Sequence, residues 1–212
     1  TAGATLAAMG MASTATINAG TSQYTFWTDT LQVNTRSVLL KGANFKMIGS
    51  APSDALANIK LFIDGVDTGK VGTVGSIQGS NYVMFDLASS PVTLTTGSHT
   101  VDVRADVQKG TNRTMQLALQ QAADLTITDT QVGVNIAVTN VGPVAFTAKN
   151  GTTVTINYGT VTTTVDPTFS SYTNITSGAT NAVIGKFTVH AYGEDVKVSS
   201  LSVLPALTSP TL

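Results

Sequence analysis

An antiparallel all-β sandwich is the fold class this chain predicts, and three observations carry it. First, Thr accounts for 36 of 212 residues and Ser for 17, against a single Glu, Glu194. β-Branched Thr and Val fit a pleated surface, whereas surface helices need the long charged side chains this chain lacks. Second, apolar and polar residues alternate over short runs, the period of a half-buried strand. Third, turn signals recur about every 8–15 residues, as successive sandwich strands require.

The strands follow in order. Val38, Leu40, Phe45 and Met47 mark one, interrupted at Gly42-Ala43-Asn44 as a bulge would interrupt it. Ile59, Leu61 and Ile63 alternate with Lys60, Phe62 and Asp64 and run into the turn Asp64-Gly65. Tyr82 and Met84 alternate with Val83 and Phe85, and Pro91-Val92-Thr93-Leu94 leads to Gly97. His99, Val101, Val103, Ala105 and Val107 share one face of a long strand. Thr100, Asp102, Arg104 and Asp106 share the other, read as a solvated, self-neutralising face. Met115, Leu117 and Leu119 follow the turn Lys109-Gly110-Thr111-Asn112. Further strands are expected at 125–127, 132–138, 154–158, 161–165, 183–190 and 196–204. The best candidate for a helical turn is 53–57, with Ser53 as its cap.

Composition excludes several classes of function. A net charge of −1 provides no field for nucleic acid or acidic lipid. With no Cys there is neither a disulfide framework nor thiolate chemistry. A hydrophobic share of 42% is too high for a disordered tail. Residues 1–20 lack the basic start of a signal peptide and are too interrupted by Gly, Ser and Thr to cross a bilayer. No other stretch reads as a transmembrane segment. A chain opening on Thr1 is expected to be processed or excised from a longer one. Thr- and Ser-rich faces with little charge point to an extracellular, cell-surface setting.

An internal repeat is the most informative pattern. Gly3-Ala4-Thr5-Leu6 and Ile17-Asn18-Ala19-Gly20 are echoed by Gly159-Thr160-Val161-Thr162 and Ile175-Thr176-Ser177-Gly178. The Phe-containing strand 38–47, the acidic turn at Asp54 and the strand 59–63 are then echoed by 182–189, Glu194-Asp195 and 198–203. The chain divides accordingly: 1–36, an N-terminal strand segment carrying the insert 21–36; 37–158, the main sandwich; and 159–212, the start of a second unit or strands for a neighbouring subunit. A partial unit exposes an apolar face and a free edge. Val183, Phe187, Val189, Val198, Leu201 and Val203 are therefore the expected assembly residues, and the segments 183–204 and 3–27 are those expected to meet other copies.

Ala182-Val183-Ile184-Gly185-Lys186-Phe187-Thr188-Val189-His190-Ala191-Tyr192-Gly193-Glu194-Asp195-Val196-Lys197-Val198 resembles the opening of sandwich repeats in large secreted bacterial surface proteins, including those of the candidate phyla radiation. The stretches 59–65 and 97–106 are similar to the middle of such units, and the resemblance runs from Ser37 to Leu204. It implies an immunoglobulin-like antiparallel β-sandwich with an incomplete second copy at its C-terminal end. It also implies a structural protein of a surface layer, filament or stalk, self-assembling by strand pairing. The first copy departs from the pattern, with Gly49 to Asp54 in place of the short Gly-Glu-Asp turn.

Little else carries chemistry. His99 and His190 sit in ordinary strand settings, and no nucleophile–base pair or carboxylate pair is evident, so no catalytic residue is assigned and an enzyme is not expected. No zinc cluster or phosphate loop exists. Calcium is the one cofactor left open, with Asp64, Asp67, Glu194 and Asp195 as its candidate ligands. Tyr24, Phe26 and Trp27 could stack on a sugar or anchor a strand. That is the basis of the alternative function, an adhesive or carbohydrate-binding module whose partners are cell-surface glycans. Asn112, Asn150 and Asn174 head N-glycosylation sequons, each placed at a turn.

Overall fold

A computed structural model describes residues 1–142, 144–169, 174–192 and 196–204. Two sheets face each other across one apolar core. The strands that build them are β1 (Gly3–Leu6), β2 (Thr14–Asn18), β3 (Tyr24–Asn34), β4 (Val38–Gly49), β5 (Leu56–Ile63), β6 (Val66–Val71), β7 (Thr73–Ile77), β8 (Ser80–Asp86) and β9 (Val92–Leu94). They continue with β10 (Gly97–Val107), β11 (Arg113–Leu119), β12 (Leu125–Asp129), β13 (Asn135–Ile136), β14 (Thr139–Asn140), β15 (Lys149–Asn150) and β16 (Thr153–Asn157). The first sheet has the order β14-β1-β3-β10-β5-β6, and the spine of the second is β13-β12-β4-β11-β16-β2. β8 and β9 pair with the other side of β4, and β7 pairs with β8. Residues 1–36 thus place β1 and β3 in the first sheet and β2 in the second.

The N-terminal segment closes both sheets. β1 lies parallel to β14, and β2 lies parallel to β16. Asp129, buried at the end of β12, accepts a 2.8 Å hydrogen bond from the Ala2 backbone N–H and so ties down the start of β1. The strand β11 and the strand β12 run along one side of β4, separated by a 3₁₀ turn at Ala122–Asp124. Asp124 accepts from the backbone N–H groups of Gln120 and Gln121 and satisfies that turn from within.

Bulges rephase the alternation where the sequence does not. Leu40 faces inward and so do Ala43 and Phe45, which regular alternation forbids. The β4–β12 register skips Lys41, one residue before the expected interruption at Gly42-Ala43-Asn44. In β3 the register skips Phe26 opposite Val103 and Arg104, so Phe26 and Trp27 both point into the core. Trp27 packs against Phe45 with ring centroids 4.9 Å apart, and Phe45 packs edge-on against Phe85.

Several expectations are corrected. No helix forms over 53–57: residues 53–55 make a turn closed by Ala55 N–H to Pro52 C=O, and Leu56 and Ala57 already belong to β5. Asp102 is not solvated; it is 7% exposed, accepting from Thr28 Oγ1 and from Arg104, whose guanidinium lies 4.2 Å over the Phe62 ring. Residues 196–204 form no strand.

Candidate functional site

Beyond β16 the chain leaves the sandwich. After Tyr158 and Gly159 it forms β17 (Thr160–Val165), which among the described residues pairs only with β18 (Phe187–Tyr192) in an antiparallel two-stranded sheet. β18 starts later than the expected strand at 183, because Phe187 is the first residue in register with β17. The internal repeat aligns 182–189 with β4. Instead, β18 pairs antiparallel with β17 as β3 pairs with β1.

The register sets the faces. Directly opposed residues of an antiparallel pair share a face. Val161 opposes Ala191, Thr163 opposes Val189 and Val165 opposes Phe187. One face is thus Val161, Val165, Phe187, Val189 and Ala191 with a single Thr163. The other is Thr160, Thr162, Thr164, Thr188, His190 and Tyr192. This is the binary pattern of a strand pair with a core to cover. Yet Phe187 is 45% exposed, Val189 43% and Val165 75%. The polar face is the one that touches the sandwich. Tyr192 rests on Gly20, where an added Cβ would meet the Tyr192 Cβ at 2.8 Å. His190, Ala191 and Tyr192 border a cleft of about 250 Å³ with Asp106 and Val107 of β10.

The expected assembly residues therefore divide between two places. Phe187 and Val189 lie on the apolar face of the hairpin. Val183 precedes it, and Val198, Leu201 and Val203 follow it in an exposed segment without regular secondary structure. Val161 and Val165 complete the face and were not singled out from sequence, although their i, i+4 spacing in a strand gives them a common side.

The remaining candidates lie elsewhere. Phe26 and Trp27 are fully buried, and Trp27 Nε1–H donates to the Lys149 carbonyl at 2.9 Å. Neither ring offers a face to a sugar, which corrects the stacking platform. Tyr24, half-buried, packs edge-on against Phe26. Asp64 and Asp67, the calcium candidates of the turn, are engaged by protein donors. Asp64 accepts from His99 and from the Thr100 N–H, while Asp67 accepts from Lys60 Nζ and the Gly69 N–H. All four oxygens already have protein donors. No group of three or more His, Cys, Asp or Glu suited to a metal occurs among the described residues. Glu194 and Asp195 lie outside them. Asn112, Asn150 and Asn174 are all exposed, but Asn150 belongs to β15 and not to a turn.

The His99–Asp64 pair has a pH signature. Burial opposes the His99 cation, but the Asp64 hydrogen bond at 2.7 Å, the Thr95 carbonyl and the Asp64 charge raise its pKa on balance. The same His99 bond lowers that of Asp64. A raised histidine stabilises the fold below its unfolded pKa and loses that contribution as pH climbs through the folded value. A lowered carboxylate stabilises above its unfolded pKa and loses it as pH falls through the folded value. The pair is thus at full strength between about pH 4 and 6.5. For a pair with one exposed partner, stability should fall by roughly 0.5 kcal/mol from pH 6 to 8. Urea midpoints should register that fall in the wild type and not in His99→Gln.

No helix among the described residues is long and apolar enough to cross a membrane. Compared with protein-family models, curated proteins and solved structures, the chain matches none.

Proposed function

We propose that this chain is a structural subunit of an extracellular cell-surface assembly, a layer, filament or stalk, and that the hairpin β17–β18 joins it to a second copy. The observation that carries this reading is the hairpin's amphipathic register with its apolar face outward. An isolated two-stranded sheet is at best marginally stable in water, so a cover for that face and a partner for its edges would both stabilise it. A copy of the same chain fits the chemistry. Its two strands carry no Asp, Glu, Lys or Arg, so little charge is desolvated when their like faces meet. The strand orders β1-β3-β10-β5 and β4-β11-β16 correspond to A-B-E-D and C-F-G of an immunoglobulin-like sandwich, which supports that finer reading of the fold.

Magnitudes set the strength. Covering Val161, Phe187 and Val189, each about half exposed, and Val165, three-quarters exposed, yields roughly 1 kcal/mol per side chain. Association itself costs about 4 kcal/mol or more. One apolar contact therefore gives weak pairing, and strand-edge hydrogen bonds or repetition along an assembly must add to it. The expected result is concentration-dependent association in sedimentation velocity and regular filaments or sheets by electron microscopy. Val189→Lys should abolish both while leaving the sandwich's unfolding midpoint unchanged. A wild-type chain that stays monomeric at millimolar concentration would sink the proposal.

A further inference from the structure

Three polar side chains are sealed into one end of the sandwich. Lys149 of β15 is 8% exposed, Asn140 of β14 is 9% and Asp29 of β3 is 6%. They come from both sheets and converge around β1. Lys149 Nζ crosses the core to donate to the Ala7 carbonyl, just past β1. Ala7 N–H donates in turn to the carbonyl of Thr30, the neighbour of Asp29. Asn140 lies beside Leu6 in the parallel β1–β14 pair. Lys149 and Asn140 line a single cleft of about 450 Å³ with Leu6, Ala7 and Thr147.

The polar atoms in this place are incompletely satisfied. Asn140 Nδ2 donates to Thr147 Oγ1 and the Ala145 carbonyl, but Asn140 Oδ1 is buried with no partner. Asp29 Oδ1 accepts from the Thr30 N–H, but Asp29 Oδ2 is buried with no partner. Native interiors leave few such groups. Lys149 Nζ, which donates to the Ala7 carbonyl, shares the cleft with Asn140, and an amine, a carboxamide and a carboxyl at one end of the core are the reactant set for an amide exchange. Burial raises the Asp29 pKa more than the Thr30 N–H and the nearby Lys149 charge lower it, so the carboxyl suits proton transfer.

We propose that Lys149 and Asn140 become joined by an intrachain amide bond, with Asp29 carrying the protons. A proton passes from the Lys149 ammonium to the Asp29 carboxylate, leaving a neutral amine and a neutral acid. Nζ attacks Cγ of Asn140, and the N–C bond forms as Asp29 protonates the carbonyl oxygen. Asp29 then relays a proton from Nζ to Nδ2, the Cγ–Nδ2 bond breaks, and ammonia leaves. The carbonyl reforms and Asp29 ends protonated. No oxidant, reductant or cofactor enters. The product ties β14 at the edge of the first sheet to β15 in the second, closing the cleft with a covalent bond. This inference is independent of the assembly reading.

Mass spectrometry tests it. The intact chain should weigh less than its sequence by one ammonia. Trypsin should fail to cut the denatured chain after Lys149, so a single peptide 114–186 replaces 114–149 and 150–186. Lys149→Arg and Asn140→Ala should show the full mass with a folded β circular-dichroism spectrum. Asp29→Asn should also stay unlinked, and a bond forming in that variant would overturn the role of Asp29. A wild-type chain of full mass overturns the proposal. So does an ammonia loss with Lys149 still cleaved, which would place the loss in a succinimide at Asn150-Gly151.

Discussion

Replacing Trp27 with alanine is expected to lower the unfolding free energy by about 4–5 kcal/mol, read as a shift in urea midpoint. Trp27 is the largest fully buried side chain. Its ring touches Phe45 of the opposite sheet, and its indole N–H reaches the Lys149 carbonyl. The substitution leaves a cavity at the centre of the aromatic cluster and also orphans that carbonyl. Trp27→Phe separates the two effects. It keeps most of the volume and removes the donor, so a loss of about 1–3 kcal/mol is expected. A domain typically has about 5–15 kcal/mol in all. The alanine variant should therefore sit near the edge of folding at 37 °C. If its midpoint matched the wild type, Trp27 would not be the bridge between sheets that its contacts describe.

Gly151→Ala should cost about 3 kcal/mol or more, for a different reason. Gly151 lies between β15 and β16, where its N–H donates to the Leu117 carbonyl. A Cβ there would stand 2.2 Å from the Phe26 carbonyl oxygen and 2.9 Å from that of Leu117. Both obstacles are backbone, so no rotamer change relieves the clash. Phe26 is the bulged residue of β3, and the bulge brings its carbonyl toward the second sheet. Gly10→Ala is the control, because nothing lies within 4 Å of its Cβ position and its φ is not positive. Urea midpoints of the two variants should differ widely. Equal midpoints would mean that the sheets do not approach at Gly151. These two sites share one end of the core, so the double variant with Trp27→Phe should deviate from additivity.

Strands with one wet face were legible residue by residue. β5 from Ile59 onward and β10 alternate as their sequences do, because each packs one side on the core, except at Asp102, which Thr28 and Arg104 cover. The hairpin at Asp64-Gly65 was equally plain. Both residues take positive φ, as a two-residue turn between right-twisted strands requires. The aromatic run of β3 was not legible. Tyr24, Phe26 and Trp27 look alike as a platform or an anchor until the pairing with β10 shows the extra residue. The apolar face of the hairpin was half legible. Phe187 and Val189 stood out, but Val161 and Val165 joined them only through register. Lys149, Asn140 and Asp29 carried no signal, since they are separated by up to 120 residues and belong to no motif.

Thr-rich, Glu-poor composition and period-two alternation were enough to require stacked β-sheets, because they express what a local backbone can do with its side chains. Which residues meet across the core is another matter. The parallel pairings of β1 with β14 and β2 with β16, the two bulges, and the cleft shared by Lys149 and Asn140 depend on contacts between distant segments. A one-residue shift of register reverses every side chain of a strand, and nothing local to the strand specifies that shift. The outward apolar face of β17–β18 arises in the same way. Alternation along each strand prepared it, and the pairing of Thr160 with Tyr192 set its members on one side.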